Sequence, residues 1–382
     1  PSPQSSADVA RGALSAFGEL RAPLVGDANR RPGVEALELS LAGRVERYDD
    51  VGTTANPKVG VLWRPTEDLT VRGTYGRSFR APALREVHDP SSASSLQLSQ
   101  ADGAHVRVLV LGGGNEDLEP ETANAWTFGA DYRPSAVPGL ALGFTAFDIA
   151  FRNRIDRPVQ QNAAAALIDP TLSPFVQNIS PATNAADRAL IVELLARPGT
   201  LASAAAFPPE AFAAIVDNRY VNTTTLRVRG VDVTAGYRFS VGGDEVALGL
   251  NGTYMVDYKQ QVTPTSAPRE RVGVAGSPVK LRARATVDWT HDRLTLGAAF
   301  NYVDRYRDVA GTRISAQPTV DLQARLAAPD RGFARGVSVS LTVRNLFDEG
   351  PPFYDNPVGI GYDPTNAEPV GRFAAIQITR AW

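Results

Sequence analysis

The sequence of 382 residues contains no cysteine and only three histidines. Disulfides, thiolate metal sites and thiol catalysis are therefore excluded, because each of them needs a cysteine sulfur. The histidines, His88, His105 and His291, lie far apart in sequence. A histidine-rich metal site is not expected, and we expect no other cofactor.

The chain also lacks an excess of charge and a long hydrophobic run. It has 39 basic and 41 acidic residues, a formal net charge of −2, which gives no electrostatic reason to expect nucleic acid as a partner. The most apolar helix-like run, Ala189–Ala196, contains Glu193 and is far shorter than the roughly 20 residues that cross a membrane. Hydropathy alone therefore leaves two classes open, a soluble protein and a transmembrane β-barrel, whose strands are apolar on one face only.

What the sequence does contain is repeated alternation of apolar and polar residues with a period of two, which is typical of strands. Thirteen segments show it: Leu14–Leu24, Glu35–Tyr48, Lys58–Arg64, Leu69–Arg77, Thr122–Arg133, Gly139–Phe151, Arg227–Ser240, Glu245–Tyr258, Val279–Thr290, Arg293–Tyr306, Thr319–Ala327, Gly336–Asn345 and Gly371–Trp382. Side chains such as Arg72, Arg282 and Arg284 fall on the polar face, and Val59, Leu296 and Phe300 fall on the apolar face. A closed wall with a wet interior and an apolar exterior explains this pattern better than a packed sandwich.

The links between these segments alternate between short and long. The short links are Pro65–Asp68, Pro134–Pro138, Val241–Asp244, His291–Asp292 and Pro329–Arg335; the long or medium ones are Asp49–Asn56, Ser78–Glu121, Arg152–Leu226, Lys259–Pro278, Arg307–Pro318 and Leu346–Val370. Outer-membrane barrels have short periplasmic turns and long extracellular loops. We therefore predict an all-β fold, a transmembrane antiparallel up-and-down β-barrel.

Five blocks of sequence resemble a known family. GTYGRSFRAPALREV (73–87) and GGGNEDLEPETANAWTFG (112–129) resemble two consecutive signatures of TonB-dependent outer-membrane receptors. RVRGVDVTAGYRF (227–239), VRNLFDEGPPF (343–353) and VGRFAAIQITRAW (370–382) are similar to three later ones, in the same order. The resemblance covers most of the chain except 156–218.

This resemblance implies a larger architecture than the chain itself contains. The family builds a 22-stranded barrel around an N-terminal plug that bears the TonB box, so about 13 strands without a plug indicate that residues 1–382 are the C-terminal part of a receptor barrel. The expected location is the outer membrane of a Gram-negative bacterium. The expected partners are the TonB complex (through the missing N-terminal part), outer-membrane lipid, the barrel assembly machinery, and a small-molecule or oligosaccharide ligand.

The family also implies a role for the terminal strand, which ends on an aromatic residue read by the assembly machinery. Ile376, Ile378 and Trp382 fit this assembly signal, and Arg380 departs from its pattern. The family motifs further suggest that Arg80 and Glu121 pair on the inner wall and hold the loop between them.

Candidate ligand contacts come from two late loops. Aromatic and charged side chains lie there, as in many small-molecule sites: Arg305, Tyr306, Arg307 and Arg313 in one loop, and Phe353, Tyr354, Asp355 and Tyr362 in the other. The cargo could be an iron-siderophore, cobalamin or a carbohydrate. A long extracellular loop at about 152–226 is expected to carry a helix at Ala185–Leu195 and a second at Glu210–Val216.

Other functions remain as alternatives. A passive porin or adhesin-type barrel and a secreted carbohydrate-binding β-sandwich are both compatible with the strand pattern. An enzyme is the least favoured class, because the glycine run 112–114 is not followed by Gly-Lys-Ser/Thr and no Gly-x-Ser-x-Gly elbow occurs.

Overall fold

The computed structural model describes residues 9–161, 163–263, 266–308, 310–329, 332, 334–355 and 360–380. In chain order the strands are β1 (Ala13–Val25), β2 (Ala36–Tyr48), β3 (Gly52–Arg64), β4 (Leu69–Arg80), β5 (Ser92–Ser99), β6 (His105–Gly112), β7 (Glu121–Tyr132), β8 (Leu140–Asp156), β9 (Val176–Asn178), β10 (Phe212–Asp217), β11 (Val221–Val241), β12 (Asp244–Gln261), β13 (Arg269–Glu270), β14 (Leu281–His291), β15 (Leu294–Val303), β16 (Tyr306–Arg307), β17 (Arg313–Ile314), β18 (Gln317–Ala327), β19 (Val337–Arg344) and β20 (Phe373–Arg380). The helices are α1 (Leu84–His88), α2 (Pro158–Gln161), α3 (Ala185–Leu195) and α4 (Ala202–Ala205), with short 3-10 helices at Ala163–Ala165, Pro170–Phe175 and Pro209–Ala211.

One large antiparallel sheet dominates the fold. Its order is β1-β2-β3-β4-β7-β8-β11-β12-β14-β15-β18-β19-β20, with the short β13 added beside β12. Each of these strands pairs with the next strand of the same sheet along the chain, so the thirteen predicted strands and their up-and-down order are confirmed. No pairing joins β1 to β20 among the described residues.

The two faces of the sheet differ as the alternation predicts. On one face Val59, Leu296 and Phe300 are 37%, 42% and 47% exposed. On the other face Arg72 donates hydrogen bonds to Asp131 and to Thr145. The sheet therefore has an apolar face and a polar face, and its apolar face is not covered by any other element that the structure describes.

The links again fall into two sets at the two rims. Six long or medium links were expected at one rim, and one of them is shorter than predicted. The loop predicted at Asp49–Asn56 ends before Gly52, because β3 begins there and Gly52 pairs with Tyr48 of β2. Asn56 and Pro57 interrupt the sequence pattern there but not the pairing. We call the two ends of the sheet the long-loop rim and the short-turn rim.

A second, smaller unit lies at the long-loop rim and is built from segments 92–112 and 158–217; we call it the loop module. Its four strands run in the order β5-β6-β10-β9, and β6 and β10 are parallel. The helix predicted at Ala185–Leu195 is confirmed, and its Asn184 side chain caps the first turn. The helix predicted at Glu210–Val216 is wrong, because β10 occupies Phe212–Asp217.

The loop module has an aliphatic core of its own. Val108, Leu109, Ile191 and Val216 are 0% exposed and Phe212 is 2% exposed. A short apolar run buried on both faces has no alternation, so it cannot be told from a buried helix by period alone. The period of the sequence therefore does not distinguish β10 from a helix.

No helix in the described ranges is both long enough and apolar enough to cross a membrane.

Candidate functional site

A cavity of about 680 Å³ opens at the long-loop rim. Its walls come from the connections β12–β14 and β15–β18, with Asp169 contributed by the loop module. Two local pairings shape these walls: β13 folds back on β12, and β16 and β17 form a small hairpin. A backbone bridge between Val274 and Arg307 joins the two connections, so loops that are separate in sequence form one continuous wall.

The cavity carries a surplus of positive charge. Six basic residues line it, against four acidic ones: Arg269, Arg271, Lys280, Arg305, Arg307 and Arg313, against Asp169, Glu270, Asp304 and Asp308. A polar wall of this composition favours an anionic occupant.

The acidic groups are already engaged in local hydrogen bonds. Glu270 Oε1 accepts the backbone N–H groups of Tyr258, Arg271 and Val272 at 2.9, 3.0 and 2.9 Å. Asp308 accepts the N–H of Thr312 at 2.7 Å. These carboxylates thus organise the loops, and the only cavity arginine that one of the acidic residues pairs with among the described residues is Arg269, which bonds Asp169 at 3.1 Å.

Three of the arginines are open to solvent. Arg305, Arg307 and Arg313 are exposed, and none of them forms an ion pair with any residue that the structure describes. The Nε of Arg271 is buried, and it lacks a hydrogen-bond partner within the described part of the chain. A buried guanidinium nitrogen without a partner is costly, and an anion in the cavity would relieve that cost.

Tyr306 anchors the base of this wall. Its ring is 4% exposed and packs with Ala275, Val279 and Ile314, and Tyr354 from the last long loop packs against the same cluster. Burial, together with the nearby carboxylate of Asp363, raises the pKa of Tyr306 above its ordinary value. The phenol therefore stays protonated at neutral pH.

Asp363 fastens the last long loop to this base. It is 1% exposed, and it accepts the backbone N–H of Gly276 at 3.1 Å and the side-chain amide of Asn366 at 2.8 Å. Asn366 in turn donates to the carbonyl of Ser277 at 2.8 Å. The loop after β19 is thus tied to the loop before β14.

The structure brings five of the eight candidate ligand residues together. Arg305, Tyr306, Arg307 and Arg313 line the cavity, and Tyr354 packs on its base. The other three lie outside its lining: Phe353, which is 76% exposed, and Asp355 and Tyr362.

Sequence reasoning missed Arg269, Arg271, Lys280 and Asp169. The run Arg269-Glu270-Arg271 lies in one of the long links that the sequence predicts. Its concentration of charged residues was a visible signal for a binding loop. Asp169 gave no such signal, because only the packing of the loop module brings it to the cavity.

The predicted inner-wall pair is a separate feature. Arg80 donates to both oxygens of Glu121 at 2.6 and 2.9 Å and to both oxygens of Glu86 at 2.9 and 3.1 Å. Glu86 also accepts the backbone N–H of Ala83 at 2.7 Å. Arg80 thereby joins the ends of β4 and β7 to α1 on the polar face of the sheet.

Two of the residues proposed as an assembly signal lie on the edge strand β20. Ile376 and Ile378 are 72% and 70% exposed on the apolar face. Trp382 lies outside the described residues.

No group of three or more histidine and carboxylate side chains that could hold a metal ion occurs in the described part of the chain.

Comparison with known proteins gives consistent results. The family model described as "TonB dependent receptor-like, beta-barrel" matches residues 1–346. An iron-regulated outer membrane virulence protein of Vibrio cholerae is 32% identical over 123 residues, which are 32% of this chain and 17% of that protein.

Two solved structures are similar in fold. A ferric enterobactin receptor mutant of Pseudomonas aeruginosa (PfeA), in complex with enterobactin, has a TM-score of 0.62 at 20% identity, over 97% of this chain and 45% of that one. The siderophore receptor PirA of Acinetobacter baumannii has a TM-score of 0.58 at 15% identity, over 96% and 45%. The chain thus spans less than half the length of these proteins.

Proposed function

The chain belongs to the TonB-dependent receptor-like β-barrel family of the Gram-negative outer membrane, and on that premise we propose that it is part of a receptor that takes up an iron-siderophore complex with energy from TonB. The observation that carries this proposal is the basic cavity with its tyrosine base. The family is one of receptors and not a class of enzymes.

The chemistry of the cavity supports an anionic, aromatic ligand. Guanidinium groups bind oxyanions through paired hydrogen bonds, and Arg305, Arg307 and Arg313 offer three of them on one wall. Ferric complexes of catecholate-type chelators carry net negative charge and aromatic rings, so they match this wall better than a neutral sugar. One of the structures similar in fold is a ferric enterobactin receptor in complex with enterobactin. That complex supports a ligand of the siderophore class.

The rest of the architecture follows from the same proposal. The long-loop rim is extracellular, so the loop module and the cavity face the medium. Residues 1–382 are the C-terminal part of the barrel, and the contact with TonB is made by a segment outside this chain. Lipid covers the apolar face, and Ile376, Ile378 and Trp382 serve the assembly machinery.

The proposal is tested in the full-length natural protein. Replacing Arg305, Arg307 and Arg313 together by Gln should weaken binding of an anionic ferric catecholate at least tenfold, since each charged hydrogen bond contributes about 1.5 to 3 kcal/mol. Arg325→Gln is the matched control, because Arg325 is an exposed arginine near the short-turn rim.

Uptake of labelled iron into cells with and without functional TonB is the second readout. Uptake should require TonB and should fall in the triple variant but not in Arg325→Gln. Unchanged affinity in the triple variant would overturn the ligand class. Uptake that persists without TonB would instead support the passive-barrel alternative.

A further inference from the structure

A groove of about 690 Å³ runs along the apolar face of the sheet from β3 to β8. Its lining includes Val59, Val61, Gly73, Tyr75, Trp126 and Phe128. This groove is unrelated to the basic cavity, because it lies on the opposite side of the wall from Arg72 and the other polar-face residues.

The strand register explains the shape of the groove. One cross-strand row contains Val61, Gly73, Phe128 and Ala146, and the next row toward the long-loop rim contains Val59, Tyr75, Trp126 and Asp148. Gly73 and Ala146 are small, whereas Trp126 and Phe128 project and are 60% and 54% exposed. The small residues therefore form the floor of a trough between aromatic walls.

Packing within the sheet does not require a glycine at the floor. A Cβ at Gly73 would meet only the carbonyl oxygen of Thr127, at 4.0 Å, and the backbone there is not in the left-handed region. The free space thus lies on the outer surface, where a hydrocarbon chain can occupy it.

Two cations stand above the groove, toward the long-loop rim. Arg77 lies on the apolar face two residues beyond Tyr75, and Arg152 lies on the same face one row further along. Both side chains are exposed, and neither has a hydrogen bond or ion pair within the described residues. From strand spacing and rise, their Cα atoms are about 12 Å apart.

The cations of the adjoining strands β11 and β12 on this face are neutralised, unlike Arg77 and Arg152. Arg227 donates to both oxygens of Asp148 at 3.0 and 2.5 Å. Arg229 and Lys259 both pair with Asp257. Among the cations nearest the groove on this face, Arg77 and Arg152 therefore keep a charge that no described residue neutralises.

We propose that this surface binds a phosphate-bearing membrane lipid, with one acyl chain in the groove and the headgroup phosphate on Arg77 and Arg152. Charge complementarity selects the headgroup, because a guanidinium binds phosphate in a bidentate way. The position of Arg77 and Arg152 favours a lipid as the source of the phosphate, because cations just beyond an aromatic belt lie at the level of the lipid headgroups. The inference requires the membrane setting of the sheet but not the ligand of the basic cavity.

The test uses the full-length natural protein in detergent, with purified bisphosphorylated lipid A as the probe and native mass spectrometry as the readout. Arg77→Gln with Arg152→Gln should lower the affinity for the probe at least tenfold. Gly73→Leu should also lower it, because the new side chain fills the groove. Lipid A from which both phosphates have been removed should bind the unaltered protein as weakly as the probe binds the double variant.

Matched controls come from the same face of the sheet. Arg47→Gln removes an exposed cation of β2. Arg47 lies two strands away from Arg77 and about 14 Å nearer the long-loop rim than Arg77. Gly252→Leu adds the same side chain beside Ala283, where a Cβ would make ordinary contacts at 3.8 Å. Both variants should bind the probe as the unaltered protein does, and heat-modifiable migration on gels should show that all variants are folded.

Three outcomes would overturn the proposal. Affinity could be unchanged in the site variants, the controls could lose as much as the site variants, or dephosphorylated lipid could bind equally well. The last result would mean that the groove holds an acyl chain without recognising phosphate.

Discussion

The large sheet and the loop module place their apolar side chains in opposite positions. In the sheet, Leu322 and Phe300 are 39% and 47% exposed, whereas Val108 and Leu109 of the module are 0% exposed. The hydrophobic effect drives both arrangements. The sheet leaves these side chains on its uncovered apolar face, whereas the module buries its own core away from water.

The two regions also differ in how their contacts are distributed along the chain. Each strand of the sheet pairs with its sequence neighbour in the sheet. In the module, β6 pairs with β10, so that Arg107 lies opposite Phe212. Contacts between segments that are distant in sequence form only when the module is packed. We therefore expect the stability of the module to depend strongly on its core, and the stability of the sheet to depend less on any one apolar side chain.

Truncation of the module core should have the largest effect. Phe212→Ala should cost about 3 to 5 kcal/mol, because the ring is 2% exposed and its removal leaves a cavity. Limited proteolysis should then cut segments 92–112 and 158–217 while the sheet stays resistant. Phe300→Ala, on the exposed apolar face of the sheet, is the control and should leave the digestion pattern unchanged. Resistance of the Phe212 variant would show that the module is not an independent core.

Charge on the apolar face of the sheet should have the next largest effect. Leu322 is the middle residue of β18 and faces outward, so Leu322→Lys should destabilise the folded receptor by about 2 to 4 kcal/mol. Its neighbour Gln323 points to the polar face, beside Gly297, and Gln323→Lys should cost almost nothing. Unfolding in urea from lipid vesicles measures both. Equal costs would mean that the two faces are assigned wrongly.

The same contrast explains what the sequence could predict. Alternation is a local property, so a strand such as β18 is visible in a single stretch of sequence. The run at Phe212–Asp217 has no alternation because both of its faces are buried, and only pairing with β6 and β9 makes it a strand.

The residues of the candidate site also divide into those that the sequence could predict and those that it could not. Arg305 and Arg307 share one loop and could be proposed together, whereas Asp169 reaches them only through tertiary packing.

A smaller effect is expected where α1 meets the sheet. Arg80 binds both Glu121 and Glu86, but its side chain is 44% exposed. A double-mutant cycle with Arg80→Ala and Glu121→Ala should therefore give a coupling energy of about 0.5 to 1 kcal/mol. Arg188 and Glu210, which join parts of the loop module at 2.6 Å, form a comparison pair. Zero coupling for Arg80 would leave two side chains that are simply solvated.

The smallest effect concerns the contact between the two regions, Asp169 of the module with Arg269 of the β12–β14 connection, at 3.1 Å. Burial alone would raise the pKa of Asp169, but hydrogen bonds from Thr171 and the charges of Arg269 and Arg271 hold it below its ordinary value. A carboxyl whose pKa is lowered in the folded state stabilises that state above the unfolded pKa of about 3.9, and this contribution is lost as the pH falls through the lower folded value.

Because Arg269 is 48% exposed, that contribution should be at most about 1 kcal/mol. Proteolysis of segment 158–175 should accelerate as the pH falls below about 4, with an acid-stable protease as the probe. Asp169→Asn should show the faster cleavage already at neutral pH and should flatten the pH profile. Glu193→Gln, an exposed change on α3, should keep the profile of the unaltered protein. If Asp169→Asn keeps that profile as well, a titratable group other than Asp169 controls the pH dependence of the contact.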